Sequence, residues 1–263
     1  MSKKATAQFW DTAHRYLGHQ LKVIRQVSSH TIDSYRDCLN SFIDYLERVE
    51  NISRKKISFH NFGKETIKRY QTWMITEQGL APKTCNLRLT AIRSFLEYAA
   101  QEYLWLMPVY TDACTIAGVK TPNHAIEYFE PDEMTALLAA PSGTSRTDRR
   151  NQMMLIFLYD TAARVAEARQ VKVSDLHLDA GVPYVTLLGK GRKYRNIPLM
   201  EKTVLHLKRY LKDFHRSDPK TDLPLFYAKA HGLLHELSCD TFEKMIKRYA
   251  EQCREGGYPM PDR

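Results

Sequence analysis

The part of the chain that most restricts its fold is residues 150–199, where the hydrophobic period changes twice. Residues 153–159 are an almost continuous apolar run, MMLIFLY, which a helix can carry only when buried on nearly every side. That helix should end at Asp160-Thr161-Ala162. A new turn then presents Arg164, with Glu167 three residues further on. After a polar connection, residues 182–188 read as a strand, Gly189-Lys190-Gly191-Arg192 reverses the chain, and residues 194–199 read as the returning strand. A helix start and a hairpin tip thus each offer a cation, Arg164 and Lys190, that local core packing does not demand. Sites that hold a phosphodiester want such a pair: a planar fork for the non-bridging oxygens and a mobile ammonium donor.

Upstream the pattern is helical. Residues 8–26 place Phe9, Trp10, Ala13, Tyr16, Leu17, Leu21 and Ile24 near helical spacing. Ser28-Ser29 offers an N-cap for a second helix with the stripe Ile32, Tyr35, Leu39, Phe42, Ile43 and Leu46. Residues 64–78 form a third helix stopped by Gly79, and Pro82 opens a fourth that runs to about residue 102. In the fourth, Cys85, Leu89, Ile92, Leu96 and Ala99 share one face. Lys83, Asn86, Thr90, Arg93 and Glu97 share the opposite face, with Arg88 at the rim, and spacing alone reads that face as solvated. Residues 1–106 therefore read as a small all-α bundle. Residues 107–128 contain Pro108, Gly118 and Pro122 without clear periodicity, and read as a linker. Residues 129–263 hold the buried helix and the strands, then an amphipathic helix over 201–215 and a last helix from Ser238 to about residue 253.

Charge points to a polyanion. The chain carries 39 Lys+Arg against 30 Asp+Glu, a net +9. Residues 1–120 hold 17 and 11 of these (+6) and the rest 22 and 19 (+3), so the basic excess runs through both halves. The five cysteines are scattered, without a C-x-x-C pair or zinc-ligand spacing, which predicts free thiols in a reducing cytoplasm and no metal site. The longest apolar run is too short to span a bilayer, and no membrane partner is expected.

Thr161-Ala162-Ala163-Arg164-Val165-Ala166-Glu167-Ala168, followed by Gly189-Lys190-Gly191-Arg192-Lys193-Tyr194-Arg195-Asn196-Ile197-Pro198-Leu199, resembles two signatures of the tyrosine recombinase family of phage integrases and Xer-like site-specific recombinases. The family pattern is close to T-G-x-R-[IV]-x-E in its box I, and then G-K-G-x-K-x-R-x-[IV]-P-L in the following hairpin. The resemblance implies a mainly α fold: an N-terminal four-helix core-binding (SAM-like) domain over residues 1–106, and a mixed α/β catalytic domain with a small antiparallel sheet over residues 129–263. It implies cleavage and rejoining of double-stranded DNA through a 3′-phosphotyrosine, without metal or other cofactor, by tetramers assembled on DNA.

Carried onto this sequence, Arg164 matches the clamp on the scissile phosphate and Lys190 the general acid, with Lys193 as its rival. Glu167 is a supporting residue on the same helix face as Arg164. The resemblance makes Thr31 and Arg36 in the second helix, and Lys83, Thr84, Asn86, Arg88 and Arg93 in the fourth, DNA-binding candidates. Arg192, Lys193 and Arg195 of the hairpin are candidate phosphate contacts. Two departures stand out. Ala162 replaces the usual glycine, which costs about 1 kcal/mol where φ is positive. The family's H-x-x-R box and its nucleophilic tyrosine, due just after the last helix, do not follow that helix before Arg263; Tyr258 precedes the expected box. The expectation is thus a catalytic domain incomplete at its C-terminal side, in a chain that binds DNA without cleaving it and is a monomer off DNA. A non-catalytic DNA-binding relative and a helical interaction protein without a nucleic-acid role are the other readings. Salt-dependent duplex binding separates the last from the rest.

Overall fold

A computed structural model describes residues 3–122, 127–189, 191–215, 222–230 and 233–261. The chain forms two compact units, Met1–His124 and Ala125–Arg263.

In the first unit, α1 (Lys3–Arg15) continues into a π-helical segment, Tyr16–Ile24, so the helix expected over residues 8–26 begins earlier and changes its winding. Ser28 caps α2 (Ser29–Arg48), its hydroxyl accepting the Thr31 N–H at 3.2 Å. Next come α3 (Lys64–Thr76) and α4 (Pro82–Glu102). Gly79, just beyond α3, takes a left-handed φ of 57°, a conformation that costs glycine nothing. The core is aromatic. Phe9 meets Phe95 edge-on at 5.8 Å, and Phe42 lies 4.8 Å from Phe62. The charged loop after α2 feeds this core, burying Ile57, Phe59 and Phe62.

The start of the stretch read as a linker departs from that reading. Met107–Cys114 is a fifth helix, α5, packed on α4 and α3, and Ala113 and Ile116 join the core. Two turns are too few to show a period, and Pro108 sits in the first turn, where a proline does not break a helix.

The second unit begins with α6 (Pro131–Ala139), α7 (Arg146–Thr161) and the short α8 (Val165–Gln170). A three-stranded antiparallel sheet follows, in the order β1 (Leu176–His177), β2 (Tyr184–Leu188), β3 (Tyr194–Pro198). Then come α9 (Glu201–His215), the hairpin β4 (Tyr227–Ala230) with β5 (Leu233–Glu236), and α10 (Cys239–Glu255). Met153, Met154, Leu155 and Phe157 of α7 are buried against α6, α8 and α9, as the apolar run demanded. The second hairpin has no sequence signature, because every residue of β5 is exposed and nothing alternates. The result is mainly helical with small antiparallel sheets.

Candidate phosphate site and nucleic-acid interface

The site is built where α7 stops. The Thr161 hydroxyl donates to the Phe157 carbonyl at 2.6 Å and accepts the Ala163 N–H at 3.3 Å. Ala162 then takes φ 47°, ψ 31°, the left-handed turn that ends the helix. The positive φ that the family's glycine foretold is present, with alanine carrying the strain. The turn delivers Arg164 to the N-cap position of α8. There its N–H donates to Glu167 Oε2 at 2.9 Å and its guanidinium to Oε1 at 3.0 Å. The Arg164 side chain nevertheless remains 73% exposed, whereas that of Glu167 is 6% exposed.

The β2–β3 hairpin closes the other side. Its register pairs Leu187 with Arg195 and Val185 with Ile197, so Arg195 faces inward with them, while Tyr194, Asn196 and Pro198 are exposed. Arg195 donates to both oxygens of Glu167, at 2.9 and 2.7 Å. These bonds, chiefly those from Arg195, hold the Glu167 carboxyl down at about 2 against the opposing effect of desolvation, and in return raise the Arg195 guanidinium. A Cβ added at Gly189 would sit 3.0 Å from Arg195 Nη1 and 3.3 Å from Glu167 Oε1, so a side chain there would crowd the pair. The hairpin is also tied at its far end, where Met200 N–H donates to Asp160 at 3.0 Å. Gly191 and Arg192 both adopt positive φ, 75° and 58°, in the turn. Arg192 and Lys193 are exposed, while Lys190 lies outside the described residues.

Beside this site, a cleft of about 550 Å³ opens between α8 and the sheet. It is lined by Thr186, Leu188 and Tyr194 and by the ion pairs Arg169–Glu236 and Lys172–Asp222. Nothing in the sequence pattern announced it.

The candidates of the first unit divide. Thr84 and Arg88 of α4 line a shallow groove with His30, Asp33 and Ser34 of α2. Thr31 stands at the start of α2 with its hydroxyl 2.9 Å from that of Ser28, and Arg36 pairs with Asp33 at 2.5 Å. Lys83 is exposed. Asn86 and Arg93 point elsewhere. The Asn86 amide donates to the Val119 carbonyl at 2.9 Å and accepts the Val119 N–H at 2.8 Å. Arg93 donates to the Ala113 carbonyl at 3.1 Å and to that of Ile116. Both bind the segment at the end of α5, the helix the sequence did not reveal.

Tyr249 lies inside α10, buried, with its hydroxyl accepting from Asn151 at 3.2 Å and donating to Asp148 at 3.4 Å. Tyr258 stands in the chain just after that helix. The sequence holds one H-x-x-R string downstream of Lys190, His206-Leu207-Lys208-Arg209. It sits in the middle of α9, with His206 half-buried and Arg209 exposed, and not beyond α10 where the family's box is due. Among the described residues no cluster of His, Cys, Asp and Glu could hold a metal, and no helix is long and apolar enough to cross a membrane.

Family models decide the lineage. That of the phage integrase family matches residues 127–259, and that of the phage integrase N-terminal SAM-like domain matches residues 14–103. The chain belongs to the tyrosine recombinase/phage integrase family. It is 33% identical over 237 residues to the tyrosine recombinase XerD of Halalkalibacterium halodurans, covering 89% of this chain and 74% of that one. Against the tyrosine recombinase XerC of Chlamydia caviae the identity is 25% over 255 residues, covering 92% and 79%. In fold it is similar to a lambda integrase tetramer bound to a Holliday junction, with a TM-score of 0.65 at 15% identity over 92% of this chain and 65% of that one. The chain spans 58% of the length of a putative integrase/recombinase of Sinorhizobium fredii, to which it is 31% identical over 194 residues. For this integrase-family chain the SAM-like domain falls in the first unit, and the integrase domain, with Arg164, Glu167 and the hairpin, falls in the second.

Proposed function

We propose that this chain binds double-stranded DNA and presents Arg164, together with Lys190, to a backbone phosphodiester, as part of a strand-breaking and rejoining site of the site-specific recombinase type. The observation that carries the reading is the state of Arg164: fixed at its backbone by a buried carboxylate, yet with its guanidinium open to solvent. A donor fixed before the phosphate arrives stabilises the charge that develops on the phosphoryl oxygens, an effect worth about 3 kcal/mol per donor at comparable sites. Lys190, as general acid, would supply a proton to the leaving 5′ oxygen. We read residues 1–106 with α5 as the core-binding domain and residues 129–263 as the catalytic portion.

Within residues 1–263 we assign no nucleophile. The Tyr249 hydroxyl is buried and hydrogen-bonded, and Tyr258 lies ahead of the position where the family's second box is due. We propose that residues 1–263, tested alone, hold a phosphate without cleaving and are a monomer off DNA. Incubated with a nicked suicide duplex, the chain is expected to leave no SDS-stable adduct; an adduct would overturn the non-cleaving reading. Its duplex affinity is expected to fall steeply with salt, and Arg164→Ala to lower that slope by about one. Absence of duplex binding at low salt would remove the DNA reading altogether. A stable tetramer in sedimentation without DNA would contradict the monomer.

A further inference from the structure

The Glu167 carboxylate meets two guanidinium groups and treats them unequally. Arg195 makes a two-pronged contact, one N–H to each oxygen at 2.9 and 2.7 Å. Arg164 makes a single side-chain bond at 3.0 Å, and its side chain is 73% exposed against 37% for Arg195. One carboxylate and two guanidiniums leave a single positive charge uncompensated, and the geometry leaves it on Arg164. We propose that Arg195 is a positioning residue: by balancing the charge of Glu167 it leaves the Arg164 guanidinium available to hold a phosphodiester, and it ties that readiness to the β2–β3 hairpin. The proposal rests on the reading of Arg164 as the phosphate clamp.

Three further observations support it. The strand register turns Arg195 inward beside Ile197, on the face opposite the exposed Tyr194, Asn196 and Pro198. Gly189 is fitted against the Arg195–Glu167 pair so closely that a Cβ would press on both partners, so hairpin and ion pair are built to each other. Glu167 is buried, and a buried carboxylate stripped of one partner draws in another. Without Arg195 that partner is Arg164, turned away from any ligand.

A double-mutant cycle on the 263-residue chain tests this, with a mixed-sequence duplex at low salt as the probe. Arg195→Gln and Arg164→Ala are each expected to weaken binding on the order of threefold to tenfold. In a Glu167→Gln background Arg195→Gln should weaken binding no further, because Arg195 acts on Arg164 through that carboxylate. Arg195→Lys, which cannot make the fork, should behave as Arg195→Gln does and serves if the latter fails to fold. Additive losses, with the salt slope lowered by about one in both backgrounds, would make Arg195 a direct phosphate contact and overturn the proposal. If the unaltered chain binds no duplex, the functional reading falls. The positioning role is then decided on the free protein by nitrogen-15 NMR of the Arg164 guanidinium: its resonances should shift in Arg195→Gln or Arg195→Lys, and unchanged resonances would overturn the role.

Discussion

The α4–α5 contact of the first unit and the hairpin–α8 contact of the second each turn an arginine inward, toward acceptors of different kinds. Arg93 donates to the Ala113 and Ile116 carbonyls, which are neutral. No carboxylate opposes its charge in this contact, which ties α4 to the segment at the end of α5. Arg195 donates to a carboxylate that also receives the backbone and side chain of Arg164. There the acceptor cancels one charge and leaves a neighbouring one unopposed. For an arginine that is a candidate phosphate contact, the acceptors of its N–H groups thus carry information that exposure and charge alone do not.

The largest expected effect breaks the carbonyl contact. Arg93→Ala removes charge-assisted bonds to half-buried carbonyls and should destabilise the first unit by about 2–3 kcal/mol. Chemical denaturation of the 263-residue chain would measure this. If Arg93 is purely structural, the salt slope of duplex binding should not change; a slope lowered by about one would show that Arg93 also reaches a phosphate.

Next comes the carboxylate contact, whose acceptor is an ionisable group. The folded Glu167 carboxyl stands at about 2, below its ordinary 4.5, first because of the hydrogen bonds from Arg195. A depressed folded pKa adds stability that is complete above about 4.5 and is lost as pH falls toward about 2. Glu167→Gln should cost about 1–2 kcal/mol at neutral pH. That is less than the ~3–5 kcal/mol of a fully buried pair, because both guanidiniums are partly wet. Stability followed between pH 5 and pH 2 should fall less steeply in Glu167→Gln than in the unaltered chain; parallel curves would show that the carboxylate is not the titrating group.

Much of this was legible in the sequence, and what was not has physical causes. The buried α7, the Ser28 cap, the Pro82 start and the β2–β3 hairpin all follow from period and turn chemistry. The inward turn of Arg195 was legible too: Ile197 and Leu199 fix the phase of the strand, and Arg195 shares it. Asn86 and Arg93 were not legible in the same way, because their acceptors lie in and after α5, a two-turn helix opening with Pro108 and too short to show a period. The β4–β5 hairpin escaped notice because an exposed strand carries no alternation. The cleft beside α8 is assembled by tertiary packing of segments far apart in the chain.

The smallest expected effect concerns the turn that aims Arg164. Ala162 holds φ 47°, ψ 31°, a region that strains any residue with a Cβ by roughly 1–2 kcal/mol. Ala162→Gly removes the strain but adds freedom to the unfolded chain, worth about 0.4–1 kcal/mol in the opposite direction. The net should be a gain of about 0.5–1 kcal/mol for the second unit, read as a rise in its unfolding midpoint. Because the Arg164 N–H remains anchored on Glu167, duplex affinity should hold. Stabilisation with unchanged affinity would place the aim of Arg164 in its carboxylate anchor. Stabilisation with weakened affinity would place it in the strained turn, and the contrast between the carbonyl and carboxylate contacts would then have to include backbone strain as a third way of fixing a cation.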